Sequence, residues 1–128
     1  MLDSFAVIAL LNRDPGFENI KHLLLQAQES GLPLLMNEIN VGEVFYLTAK
    51  RVSWEMAEEF LKSLPALPVE LVSNSYADVL EAARIKAQFP ISYADAFAVA
   101  TAIRRNAVIV TGDREFRSVG HLVEIAWL

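Results

Sequence analysis

The chain has 128 residues, 54% of them apolar, and a net charge of −5. That length fits one domain around a single core, read here as residues 1–128, and the absence of cysteine excludes disulfides and thiolate metal sites. The acidic balance excludes binding to nucleic acid through a generally basic surface, so such a partner needs a local patch, a second subunit or bound cations.

Residues 1–3 supply only the stub of a strand. FAVIALLN, 5–12, follows as a short helix that is apolar nearly all round. Its apolar stretch is far shorter than the roughly 18 to 20 residues that cross a bilayer, and no basic segment precedes it. A cytoplasmic protein with no membrane partner is expected. Asp14-Pro15 reads as an N-cap followed by proline at the first helical position. The helix after it carries Phe17, Ile20, Leu24 and Ala27 on one face, and Gly31 closes it.

LPLLM, 32–36, is a short strand candidate, and a helix over 38–51 follows with Asn37 as a possible cap. Ser53 caps another helix, with Met56, Phe60, Leu61 and Leu64 on one face. PVELV, 68–72, is the next strand. Ser75 opens a helix to about residue 88, with Asp78 completing a box-like start. Ser92 caps a helix over 93–104, AVIVT at 107–111 is a strand, and LVEIAW at 122–127 is the last. Strands alternating with helices predict an α/β domain with a mainly parallel sheet.

In such sheets ligands bind beyond the carboxyl ends of the strands, against helix N-termini. Four acids fall there. Asp3 ends the first stub, and it is also a plausible N-cap, with Ser4 competing for that job. Glu43 lies on the helix after the second strand; Glu38, one turn nearer the strand, competes with it. Asp95 begins the helix SYADAFAVATAI, whose remainder is apolar almost all round, so an ionised carboxylate there must be paired or coordinated. The same Asp95 completes a capping-box pattern with Ser92. Asp113 closes the Thr-Gly-Asp turn after a buried strand, with Glu115 two residues on. Each acid alone has a local explanation. Local explanations do not predict one acid after each of several strands. Crowded carboxylates repel, and some protonate unless a divalent cation joins them. Magnesium takes carboxylates and waters and leaves room for phosphate, which suits phosphodiester hydrolysis.

LDSFAVIALLN, NEINVGEV and SYADAFAVATAIRRNAVIVTGDREF together resemble a PIN domain, in particular a small stand-alone one of the VapC toxin type. The resemblance covers essentially the whole chain, and the last segment is its most specific part. It implies a three-layer α/β/α sandwich and an acidic site that holds Mg²⁺ or Mn²⁺ and cuts RNA. The family's acidic positions fall on Asp3, Glu43, Asp95 and Asp113. Ser4 and Thr111 match its supporting hydroxyls. Phosphate contacts are expected from Lys50, Arg51, Arg104, Arg105 and above all Arg114. The toxin type implies a small antitoxin partner and a homodimer or higher oligomer. The helix at 5–12 and those at 38–64 offer either core or interface.

The competing reading keeps the fold without catalysis, as a module that binds RNA or protein. A phosphoacceptor domain needs a lysine after a late strand, and the last lysine is Lys86. No phosphate-loop motif is present. His22 and His121 stand beside no serine motif and read as surface residues.

Overall fold

The computed structural model describes residues 1–128. Six helices and four short strands alternate along the chain: α1 (Ser4–Asn12), α2 (Phe17–Ser30), β1 (Leu34–Asn37), α3 (Glu38–Arg51), α4 (Trp54–Ser63), β2 (Val69–Val72), α5 (Tyr76–Gln88), α6 (Tyr93–Arg105), β3 (Ile109–Thr111) and β4 (Ile125–Trp127). β1 pairs with β2 in parallel, Leu34 opposite Val69, and β3 pairs with β4 in parallel, Ile109 opposite Ile125.

The N-terminal residues join these two pairs. Leu2 bridges Val110 in parallel, the Val110 amide donates to the Met1 carbonyl at 2.8 Å, and the Leu2 amide donates to the Leu35 carbonyl at 2.7 Å. The order is therefore β2, β1, residues 1–2, β3, β4. The stub expected from the sequence is the centre of the sheet.

Successive residues of a strand point to opposite faces, and two cores follow from that alternation. Met1 and Ile109 enter one core with Ala82 of α5 and the apolar residues of α6, while Leu2, Met36 and Val110 enter the other with α1, Ile20 of α2, Val44 of α3 and Phe60 of α4. A sheet with a core on each face is the expected three-layer α/β/α sandwich. Every residue of α6 from Asp95 to Ala102 is buried, because that helix packs against both β1 and β3 and against α3 and α5.

Asn37, Ser53, Ser75 and Ser92 cap their helices through side-chain oxygens, as the sequence indicates. Two expectations need correction. Asp14 and Pro15 do not open α2. The Asp14 amide donates to the Ala9 carbonyl at 2.9 Å and so closes α1. Gly16 caps α2 instead at φ 96°, and a Cβ there would lie 3.0 Å from the Leu128 Cβ. The last strand is shorter than 122–127, because the Leu122 amide turns back to the Val119 carbonyl at 2.9 Å. That turn follows an unforeseen 3₁₀ helix, Arg114–Val119.

Candidate active site

Three of the four acids stand at helix N-termini, where exposed backbone amides favour negative charge. Asp3 is the N-cap of α1, Asp95 is the third residue of α6, and Asp113 caps the 3₁₀ helix after β3. Each uses one oxygen locally. Asp3 Oδ1 accepts from the Ala6 amide at 2.8 Å, Asp95 Oδ2 from the Ser92 amide at 3.3 Å, and Asp113 Oδ1 from the Glu115 amide at 2.9 Å. The capping readings of Asp3 and Asp95 are thus correct, and Asp113, read as a turn residue, is a cap as well; each cap engages one carboxylate oxygen.

Asp95 and Asp113 also converge on one cleft. The cleft, of about 400 Å³, is lined by Asp14, Glu43, Asp95, Asp113 and Glu115, with Arg51 as the one cation. Asp95, Asp113 and Glu115 each present an oxygen within 4.8 Å of the other two. Asp3 is fully buried and belongs neither to this cluster nor to the cleft lining, though it feels the charges of Asp95 and Asp113; its Oδ2 has no hydrogen-bond partner within normal geometry. Such an atom costs about 1–3 kcal/mol unless something binds it.

Electrostatics report the same convergence. Burial pushes the Asp3 carboxyl up to about 7; the Thr111 hydroxyl and Ala6 amide oppose this, and the charges of Asp95 and Asp113 reinforce it. Burial likewise pushes Asp95 up to about 6, against its bonds to Ser92 and with repulsion from Glu43 and Asp113. The possible ligands lining the cleft are oxygens, most of them carboxylate oxygens, with no histidine or cysteine. That set suits a hard divalent cation of the Mg²⁺ or Mn²⁺ kind and would neutralise the repulsion.

The turn after β3 is built for this approach. The Thr111 hydroxyl accepts from the Asp113 amide at 3.0 Å. Gly112 lies under the Phe5 ring, where any Cβ would overlap ring carbons. Ser4 lines the cleft and bonds to Asn40 on α3.

Other expected residues lie elsewhere. Glu38 is exposed and accepts from the Ser73 hydroxyl at 2.8 Å, so Glu43 is the α3 glutamate in the cleft. Arg114 is exposed and does not line the cleft; Arg51 does. Arg104 pairs with Asp78 and Glu81, and Arg105 with Glu70, away from the acids. Lys50 is exposed and outside the lining. Sequence reasoning missed Asp14 as a lining residue and Asn40 altogether. Asn40 is fully buried in the first turn of α3, where its amide needs partners. Its sequence position carries no signal of this, because the partners are remote.

The fold recurs in solved structures. A chain of "VapBC2 from Rickettsia felis bound to a DNA fragment from their promoter" superposes with TM-score 0.76 at 17% identity, covering 100% of this chain and 97% of that one. A chain of DNA-bound VapBC from Salmonella typhimurium gives 0.72 at 18% identity, covering 98% and 95%. A chain of VapBC-1 from nontypeable Haemophilus influenzae gives 0.67 at 20% identity, covering 99% and 96%. No curated protein matches the sequence. The model of the PIN domain matches residues 1–122, nearly the whole chain and all of the acids described above. The chain belongs to the PIN domain family.

Proposed function

We propose that this protein is a metal-dependent endoribonuclease that hydrolyses RNA phosphodiester bonds, and that it is the toxin of a toxin–antitoxin pair. The observation that carries the metal is the gathering of Asp95, Asp113 and Glu115 oxygens within 4.8 Å of one another; buried Asp3 feels the charges of Asp95 and Asp113. Asp3, Glu43, Asp95 and Asp113 are the proposed ligands of Mg²⁺ or Mn²⁺, directly or through water, with Glu115 able to join Asp95 and Asp113. When bound, the cation supplies an acidified water and stabilises charge on phosphoryl oxygens.

The chain's own residues have separate tasks. Thr111 and Gly112 hold Asp113 at the end of β3. Ser92 fixes the Asp95 rotamer through the capping box. Arg51, at the cleft wall, is placed to meet a substrate phosphate. Phe5, 42% exposed at the same cleft, offers a face for a base to stack on. No histidine or lysine lines the cleft to act as a nucleophile, so water is the proposed attacking group.

Antitoxin pairing is supported by the VapBC complexes that share the fold. The apolar side chains exposed on α3 and α4, among them Tyr46, Trp54 and Met56, offer surface for a partner or a second copy.

The test is cleavage of defined RNAs with Mg²⁺, Mn²⁺ or EDTA, beside Asp95→Asn. Asparagine keeps an oxygen for the Ser92 amide and removes the charge. Cleavage is expected only for the native protein with metal. Activity that survives both EDTA and the substitution overturns the proposal. Metal binding without cleavage of any RNA favours the binding-module reading.

A further inference from the structure

Asn40 lies one turn before Glu43 on α3 and is fully buried. Its Nδ2 donates to Ser4 Oγ at 3.1 Å and to the Ala94 carbonyl at 3.2 Å. The Ser4 hydroxyl donates back to the Asn40 carbonyl at 3.4 Å. Ser4 is the neighbour of Asp3, and Ala94 is the neighbour of Asp95. One amide therefore joins the three elements that carry Asp3, Glu43 and Asp95. The Ala94 carbonyl only accepts, so it must face the amide nitrogen, which fixes the side chain's orientation. The remaining oxygen, Oδ1, is buried without a partner. The amide thus ties these elements together while leaving one buried oxygen unpaired.

We infer that Asn40 is a positioning residue: its amide sets the distance between Glu43, Asp3 and Asp95, and so prepares the carboxylates to share a cation. The inference rests on the metal-site reading above. Groups that orient metal ligands from behind typically change metal affinity by roughly 10–100-fold when removed.

A second polar node provides the control. Asn37 Nδ2 donates to Thr101 Oγ1 at 2.8 Å and to Asn74 Oδ1 at 2.7 Å, joining β1, α6 and the loop before α5. Thr101 adjoins none of the acids in sequence. The experiment is Mn²⁺ titration by calorimetry of the native chain, Asn40→Ala, Ser4→Ala and Thr101→Val, with a melting temperature for each. Asn40→Ala is expected to weaken Mn²⁺ binding by about 10-fold or more, and Ser4→Ala, which removes a single oxygen of the same clamp, by a smaller factor. Thr101→Val is expected to melt earlier and bind Mn²⁺ as the native chain does. Native affinity in Asn40→Ala, or an equal loss in Thr101→Val, overturns the inference. If Asn40→Ala does not fold, unchanged affinity in Ser4→Ala overturns it. A native chain that binds no Mn²⁺ brings down the metal reading and this inference with it.

Discussion

The tetrapeptide Ser-Tyr-Ala-Asp occurs twice, at 75–78 and at 92–95. Both copies open a helix, and both form the full reciprocal capping box. Their aspartates nevertheless meet opposite environments. Asp78 lies near the surface, 3.1 Å from Arg104. The Ser75 amide above all, with the Ser75 hydroxyl and Arg104, holds its carboxyl below the usual range. Asp95 is buried and faces Glu43 and Asp113, and its carboxyl is raised to about 6. Four residues specify a helix start. What lies across from that start decides whether the acid is a cap alone or a cap that also serves a site.

Neutralising each aspartate in turn gives the widest separation. Asp95→Asn is expected to reduce Mn²⁺ affinity and RNA cleavage by more than about 100-fold, beyond the range for groups behind the ligands. Asp78→Asn is expected to leave both unchanged. Equal effects would erase the distinction.

The next contrast is in stability without metal. The folded pKa of Asp95 lies above the ordinary 3.8, so the folded chain holds its proton more tightly than the unfolded chain does. The contribution of Asp95 to stability is then complete below pH 3.8 and is lost as pH rises to about 6; that of Asp3 is lost by about 7. In EDTA, Asp95→Asn is therefore expected to stabilise the protein at pH 7.5 by on the order of 2 kcal/mol, read as a higher melting temperature. Asp78 carries the opposite sign. Its contribution is complete above 3.8 and is lost as pH falls towards its lower folded value. Thermal melts from pH 3 to 8 separate the two, and an Asp95→Asn chain that melts lower at pH 7.5 contradicts the assignment.

The caps themselves should behave alike. Ser75→Ala and Ser92→Ala are each expected to cost about 1 kcal/mol in denaturant unfolding, with only Ser92→Ala altering Mn²⁺ binding. Smallest is Arg104→Gln, expected to lower the melting temperature by about 1 °C at low salt and by less at high salt. A larger loss would mean that the Asp78 pair is shielded more than its position indicates.

The layered fold was legible because the apolar runs are short, the caps are local and the two kinds of element alternate. Asn37, Ser53, Ser75 and Ser92 all announce helices through a contact only two or three residues away. Asp14-Pro15 misled because the competing demand, closure of α1 on Ala9, comes from upstream. The choice of Glu43 over Glu38 depends on which side of α3 faces α6, which spacing alone leaves open. Arg51 and Arg114 differ likewise by where their elements point. Asn40 escaped notice because its partners, Ser4 and Ala94, lie 36 and 54 residues away.

The placement of Met1 and Leu2 between β1 and β3 has a consequence for how the protein comes into being. Their anchors at Val108 and Val110 lie more than 100 residues downstream. Residues 1 and 2 must wait for residues 108 to 110 before the middle of the sheet can zip shut. Asp3 is held in place by that closure, so a growing chain carries no assembled acidic pocket until residues 108 to 110 have emerged.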